Sequence, residues 1–256
     1  MFEAVSFIGS GRIARIILGG WKLANVLPQR ILAFDTNAQA IQALQRDFPT
    51  VRAASLEEAA HADLVFAALH PPAMPEMLAA ISGKLKPEAV FCSLVPKVKL
   101  AALKQALGGF SRLARMNPNA PSIIGQGYNP IAFGDELPSA ERDRLLALLK
   151  ALGQSPQVDE IRLESYAVIS AMGPTYFGFQ FAKLEALATE FGLDPESARS
   201  AVRAMLHGTV DLLFASDIAR ETALDLVPVR PMAEHEEEIS RMLGERLGAM
   251  YAKLTS

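Results

Sequence analysis

Short apolar runs alternate with helix-period stretches along the first part of the chain, and the alternation stops near residue 157. Residues 4–8 read as a strand that breaks at Gly9. Residues 12–27 then carry Ile13, Ile16, Ile17, Leu23 and Leu27 at helical spacing. A second apolar run covers 31–35, a second helical stretch 38–46, and a short strand 51–54. Ser55, followed three positions later by Glu58, is a capping box that opens another helix. The continuous apolar runs 64–69 and 89–94 suit strands covered on both faces of a parallel sheet, with the helical stretch 72–81 between them. Shorter strands are expected at 113–116 and 130–133. Strand, helix and strand in succession predict right-handed βαβ units and a doubly wound sheet. Past residue 157 the pattern turns helical, over 163–191, 195–215 and 234–254, punctuated by Gly192 and by the segment 226–232. The expected architecture is α/β: a doubly wound parallel sheet over residues 1–157, then an all-helical domain over 158–256.

Composition narrows the function classes. Half of the 256 residues are hydrophobic, and 25 basic against 28 acidic side chains leave a net charge of −3. A chain this apolar folds around a core without staples, and weak acidity disfavours a phosphate-backbone partner. With aromatic residues at only 7%, stacking platforms for single strands are not expected either. Cys92 is the one cysteine; it supports neither a disulfide nor a zinc framework, and its apolar run gives it an inert core role. Glu3 and the lack of a basic start argue against a signal peptide, and no apolar stretch reaches the ~20 residues of a spanning helix. The expectation is a cytoplasmic globular protein with a small-molecule substrate, and no nucleic-acid or membrane partner.

Gly9-Ser10-Gly11-Arg12-Ile13-Ala14 follows the first strand and opens the first helix. In that context Gly9 allows the tight turn, Gly11 lets backbone approach a pyrophosphate, and Ala14 lets helix and strand pack closely, as in the Rossmann fold. Asp35 closes the second strand, where an acid hydrogen-bonds a ribose 2′-hydroxyl and repels a 2′-phosphate. Thr36 and Asn37 are small and polar enough to admit a phosphate, so the cofactor is read as NAD(P), with NAD against NADP left open. His70, Pro71 and Pro72 follow the fourth strand at its carboxyl end, and Arg115 to Pro121 close another strand, where Asn117 and Asn119 offer amides to a carbonyl or an imine. The acidic run 234–238 holds no metal-binding spacing and suits the first turn of a helix. No metal is expected. His207 and Lys183 lie in helical stretches and read as ordinary core, interface or solvated residues.

Residues 7–20, 62–71 and 115–127, together with Gly173-Pro174-Thr175-Tyr176, resemble pyrroline-5-carboxylate reductase, in order and over most of the chain. The resemblance implies an NAD(P)H-dependent oxidoreductase that passes hydride to a small imine or carbonyl carboxylate. It also implies a helical domain through which the chain forms a homodimer or a larger assembly, with the active site between the domains. On it, Gly9, Ser10, Gly11, Arg12 and Ile13 would line the pyrophosphate, Asp35 and Asn37 the adenosine ribose, and His70 and Pro71 the nicotinamide. Asn119 would lie near the reacting carbon, and Tyr176 and Arg230 would orient the substrate. The chain departs from the family in its substrate half. A Ser-Pro-Gly-Gly-Thr-Thr loop is replaced by Val227 to Met232, where Pro231 has no amide to donate and Met232 no hydroxyl. His70 stands for the usual lysine, Met172 for a serine and Ala182 for a glutamate. That contrast supports an alternative reading: a non-catalytic, dimeric NAD(P)-binding sensor.

Overall fold

The computed structural model describes residues 2–256. These divide into two compact units, residues 2–172 with Tyr251–Ser256, and Gly173–Met250. The first unit is built on a seven-stranded sheet of order β3-β2-β1-β4-β5-β6-β8, where β1 is Ala4–Ile8, β2 Arg30–Phe34, β3 Val51–Ala53, β4 Leu64–Ala67, β5 Val90–Ser93, β6 Leu113–Met116 and β8 Ile131–Phe133; β7 (Gly127–Tyr128) pairs outside it with β9 (Gly153–Gln154). The first six are parallel, and the order reverses beside β1. This is a Rossmann-type doubly wound sheet, with its switch point between β1 and β4.

Side chains alternate across the central strands with period two. Val5, Phe7, Leu64, Phe66, Val90 and Cys92 enter one core, and Ala4, Ile8, Val65, Ala67 and Phe91 enter the other. The first core is closed by helix α1 (Arg12–Leu23), whose Trp21 packs near Phe7 and Phe66 and donates its indole N–H to the Leu148 carbonyl at 3.1 Å. The second is covered by α3 (Leu56–Ala60), α4 (Met74–Ile81) and α5 (Leu100–Ala106). The capping box at Ser55 and Glu58 forms in both directions. Cys92 is fully buried, and burial pushes its thiol far above its ordinary range.

Three features depart from the expected pattern. β8 runs antiparallel to β6, so the sheet is mixed at that edge; the connection from β6 to β8 carries no crossover helix, which a parallel neighbour requires. Helices α5 and α6 (Ser139–Leu149) form where no helix was read, and the expected helix over 163–191 is broken. It comprises α7 (Leu163–Tyr166), a π-helical turn over Ala167–Ala171 and α8 (Pro174–Glu190). The first compact unit therefore extends past residue 157 to Met172, because side chains from the end of β6 hold the segment 160–170 against the sheet domain.

The second unit contains α8, α9 (Pro195–Phe214), α10 (Arg220–Asp225) and most of α11 (Glu236–Thr255). Asp194 caps α9 by accepting from the amides of Glu196 and Ser197. No residue of α8 is buried, and Phe179, Phe191 and Phe214 are 70%, 80% and 73% exposed.

Candidate functional site

Gly9 takes φ +105°, and a Cβ there would stand 2.5 Å from the Ala68 carbonyl oxygen. The turn between β1 and α1 thus needs glycine for backbone geometry and for its contact with the end of β4. Gly11 differs: φ is −82° and a Cβ would meet nothing within 4 Å. The space above it is open, and it is the N-cap of α1, which carries no side-chain cap and no acid in its first turn. The first-turn amides and the positive end of the helix dipole therefore face an uncrowded surface. Further along α1, a Cβ on Gly19 would lie 2.4 Å from the Ile123 side chain, and one on Gly20 2.3 Å from the Ser122 carbonyl oxygen. This glycine pair lets the turn over 120–124 lie directly on the helix.

Two cavities flank Gly11 and Arg12. One, of about 640 Å³, is lined by Gly11, Arg12, Ile13, Ala68, Leu69, His70, Pro71, Leu94, Pro96, Asn117, Pro118, Ala167, Ala171 and Met172. The other, of about 440 Å³, is bounded by Ser10, Gly11, Arg12, Arg15, Ile16 and residues of α2 (Ala38–Asp47). Together they form a trough at the carboxyl ends of the strands beside the switch point, where doubly wound sheets take ligands. A separate surface cleft of about 530 Å³ around Asp135, Glu136 and Asp159 is lined largely by polar groups already engaged, as in the Lys104–Glu136 pair and the Arg142 bonds to backbone carbonyls.

The expected site residues fall into three groups. Gly11, Arg12, Ile13, His70 and Pro71 meet in the larger cavity. Ser10 and Asp35 meet beside the trough: one Asp35 oxygen accepts from the Ser10 amide at 2.7 Å, and the other from the Asn37 amide at 2.8 Å. Asp35 is thus fixed at the mouth of the glycine turn. Asn37, read as a ribose contact, instead spends its side-chain oxygen capping α2 through the Gln39 amide at 2.9 Å.

Asn119 does not line the cavity. Its Oδ1 accepts from the Tyr128 amide at 3.1 Å, and its Nδ2 donates to the Ser170 carbonyl at 3.3 Å, so the amide read as facing the reacting carbon serves the fold. Asn117, not chosen as a site residue, does line it, and its Nδ2 donates to the Leu163 carbonyl. Tyr176 and Arg230 belong to the second unit. Tyr176 lies in the first turn of α8, and burial holds its phenol above the ordinary tyrosine range. Arg230 is paired with Glu236, the partner its sequence neighbourhood suggests. No cluster of three or more metal-ligating side chains occurs among the described residues, and no described helix is long and apolar enough to cross a membrane.

Sequence reasoning missed the buried charges behind the cavity wall. Arg115, 1% exposed, donates to Glu160 and Glu164 at 2.8 Å each. A charged residue inside a buried strand was the available signal, but its partners lie 45 and 49 positions away.

Comparison with known proteins follows the same division. Residues 4–96 match the family described as NADP oxidoreductase coenzyme F420-dependent. Pyrroline-5-carboxylate reductase of Pseudomonas aeruginosa is 26% identical over 216 residues, 84% of this chain and 79% of that protein. The enzyme of the same name from Escherichia coli is 27% identical over 199 residues, 77% of this chain and 74% of its own. The crystal structure of Plasmodium falciparum pyrroline carboxylate reductase with NADP bound superposes with a TM-score of 0.84 at 19% identity, covering 99% of this chain and 98% of that one. The chain is thus similar over most of its length to pyrroline-5-carboxylate reductases, in sequence to the two bacterial enzymes and in fold to the Plasmodium one.

Proposed function

We propose that the chain is an NAD(P)H-dependent oxidoreductase acting on a small imine or carbonyl carboxylate. The observation that carries this reading is the open trough on both sides of Gly11, with an uncapped helix N-terminus at its centre. A dinucleotide fits it chemically. Backbone amides of Gly11, Arg12 and Ile13, with the Arg12 guanidinium, would hold the pyrophosphate. Asp35 would take the adenosine ribose, and the wall of His70, Pro71, Pro118, Ala171 and Met172 would receive the nicotinamide. When bound, the cofactor supplies hydride. What the chain adds is position, exclusion of water by a largely apolar wall, and a proton or hydrogen bond for the nitrogen or oxygen that gains charge. His70 lines the cavity and the Tyr176 phenol is the candidate donor of the second unit; Arg230 is that unit's candidate for the substrate carboxylate. The exposed phenylalanines of the second unit support the homodimer reading, since a dimer covers such apolar area.

The non-catalytic reading keeps one specific support. Arg230 is already paired with Glu236, and Val227 and Val229 around it are 64% and 73% exposed, so this loop presents no preformed carboxylate cradle. A titration with NADH and NADPH, followed by a screen of cyclic imines and 2-keto acids, separates the two. Turnover of any screened compound establishes the reductase, and nucleotide binding without turnover across the screen establishes the sensor.

A further inference from the structure

Arg115, near the end of β6, and Asn117 and Asn119 just beyond it occupy alternate positions along the chain. Each grips the same downstream segment. Arg115 donates one guanidinium nitrogen to Glu160 and another to Glu164, at 2.8 Å each. Asn117 donates to the Leu163 carbonyl, and Asn119 to the Ser170 carbonyl at 3.3 Å. Glu160 also accepts the Leu100 amide at 2.6 Å, which ties the near end of the segment to α5. Within this segment, Ala167–Ala171 is π-helical, and Ala167, Ala171 and Met172 form one wall of the larger cavity. Asn117 itself and its neighbour Pro118 line the same cavity.

Stability alone is a weak reason for such a cluster. The Arg115 and Glu164 side chains are 2% and 6% exposed, and a buried ion pair gains little over apolar residues of the same volume. A planar fork held by two carboxylates supplies direction, because both partners must sit in its plane. The backbone bonds from Asn117 and Asn119 then fix the segment along its length. A π-helical turn is a local irregularity often found at functional sites; here Asn119 holds it from within, at Ser170, while Asn117 anchors Leu163 just before it.

We infer that Arg115, Asn117 and Asn119 form a positioning ladder that sets the cavity wall of Ala167, Ala171 and Met172 for the nicotinamide end of the cofactor. Arg115 acts through Glu160 and Glu164 and touches neither cofactor nor substrate. The inference rests on the NAD(P)H reading of the trough. It goes beyond that reading by assigning the buried charges to one half of the ligand only. Asp35, the residue read for the adenosine ribose, is hydrogen-bonded to the Ser10 and Asn37 amides and not to the ladder.

The test compares a whole dinucleotide with its adenosine half. Dissociation constants of NADH and ADP-ribose (or NADPH and 2′-phospho-ADP-ribose, whichever pair the wild type binds) are measured for wild type and Arg115→Lys, with thermal unfolding in parallel. Lysine keeps the charge but loses the fork. Dinucleotide binding is expected to weaken about tenfold, with the adenosine half bound within about twofold of wild type. Equal affinity for both ligands in wild type and variant, or an equal loss for both, overturns the inference, since a merely structural role moves the two together. Should Arg115→Lys show no cooperative unfolding, Glu164→Gln and Asn119→Ser are read by the same split. A wild type that binds neither ligand overturns the NAD(P)H reading itself, which keeps the two failures distinct.

Discussion

Replacing Asp35 with serine should invert the preference between the two nicotinamide nucleotides. Both carboxylate oxygens are engaged by backbone amides, Ser10 at 2.7 Å and Asn37 at 2.8 Å, so the group cannot swing aside for a 2′-phosphate. Asn37 is committed to its cap, Arg15 pairs with Asp47 at 3.1 Å, and the basic residue of α2, Arg46, lies in its last turn. No counter-charge from α2 therefore stands beside Asp35. Two unit charges about 5 Å apart repel by about 0.8 kcal/mol in water and about 3 kcal/mol at an effective dielectric of 20. Asp35 is partly exposed, so the lower half of that range applies per charge, and a phosphate carries roughly two. The discrimination against NADPH comes to about 1.6–3.8 kcal/mol, or about 15-fold to about 500-fold. Asp35→Ser removes it and also removes a charge-assisted bond to the ribose, which weakens NADH by about tenfold. The assay is a nucleotide titration of both proteins at one low ionic strength, repeated at high salt, where the contrast shrinks. A ratio of NADH to NADPH affinity that stays within about twofold of wild type in the variant would refute the reasoning.

Two glycines in one turn should fail in different ways. Gly9→Ala, with φ at +105° and a Cβ 2.5 Å from the Ala68 oxygen, is expected to cost more than about 2 kcal/mol in urea unfolding. Gly11→Ala, where a Cβ meets open space, should change stability by less than about 1 kcal/mol while blocking nucleotide binding; similar unfolding midpoints for the two variants would contradict this division. Gly20→Ala is expected to destabilise by at least about 1 kcal/mol, because its Cβ would stand 2.3 Å from the Ser122 oxygen, and an unchanged melting temperature would rule that contact out as a constraint. For Asp63, burial alone would raise the carboxyl, but the Lys86 ammonium and the Ala4 and Glu3 amides outweigh it and hold it below the usual range. Its stabilising contribution is therefore complete above about pH 4 and lost as pH falls through the lowered value. Asp63→Asn should be less stable than wild type at neutral pH, and the gap should narrow in acid. A constant gap from pH 7 to pH 2 would remove Asp63 from the acid response.

The parallel half of the sheet was legible because its strands are buried on both faces and read as unbroken apolar runs, as Leu64–Ala67 and Val90–Ser93 do. The Gly9–Ala14 turn was legible because backbone geometry restricts residue type at each of its positions. β8 was found but not its direction, since three residues, Ile131–Phe133, carry no directional signal. The break in the expected 163–191 helix was hidden because Ala167–Ala171 has ordinary helix-compatible composition, and the bonds that hold it come from distant residues. The same distance hid the true duties of Asn119 and Arg115. Each offered a plausible polar group near a strand end, and only the three-dimensional partners, Ser170 for one and Glu160 and Glu164 for the other, show where it is used.

On the NAD(P)H reading, a dinucleotide lies over Gly11 between the two flanking cavities. It is tested most directly by titrating the purified chain with NADH and NADPH beside its Gly11→Ala variant. Saturable binding of at least one nucleotide by the wild type, lost in a variant that unfolds at the same midpoint, is the result predicted. Binding of neither nucleotide by folded wild type, or undiminished binding by the variant, would contradict it.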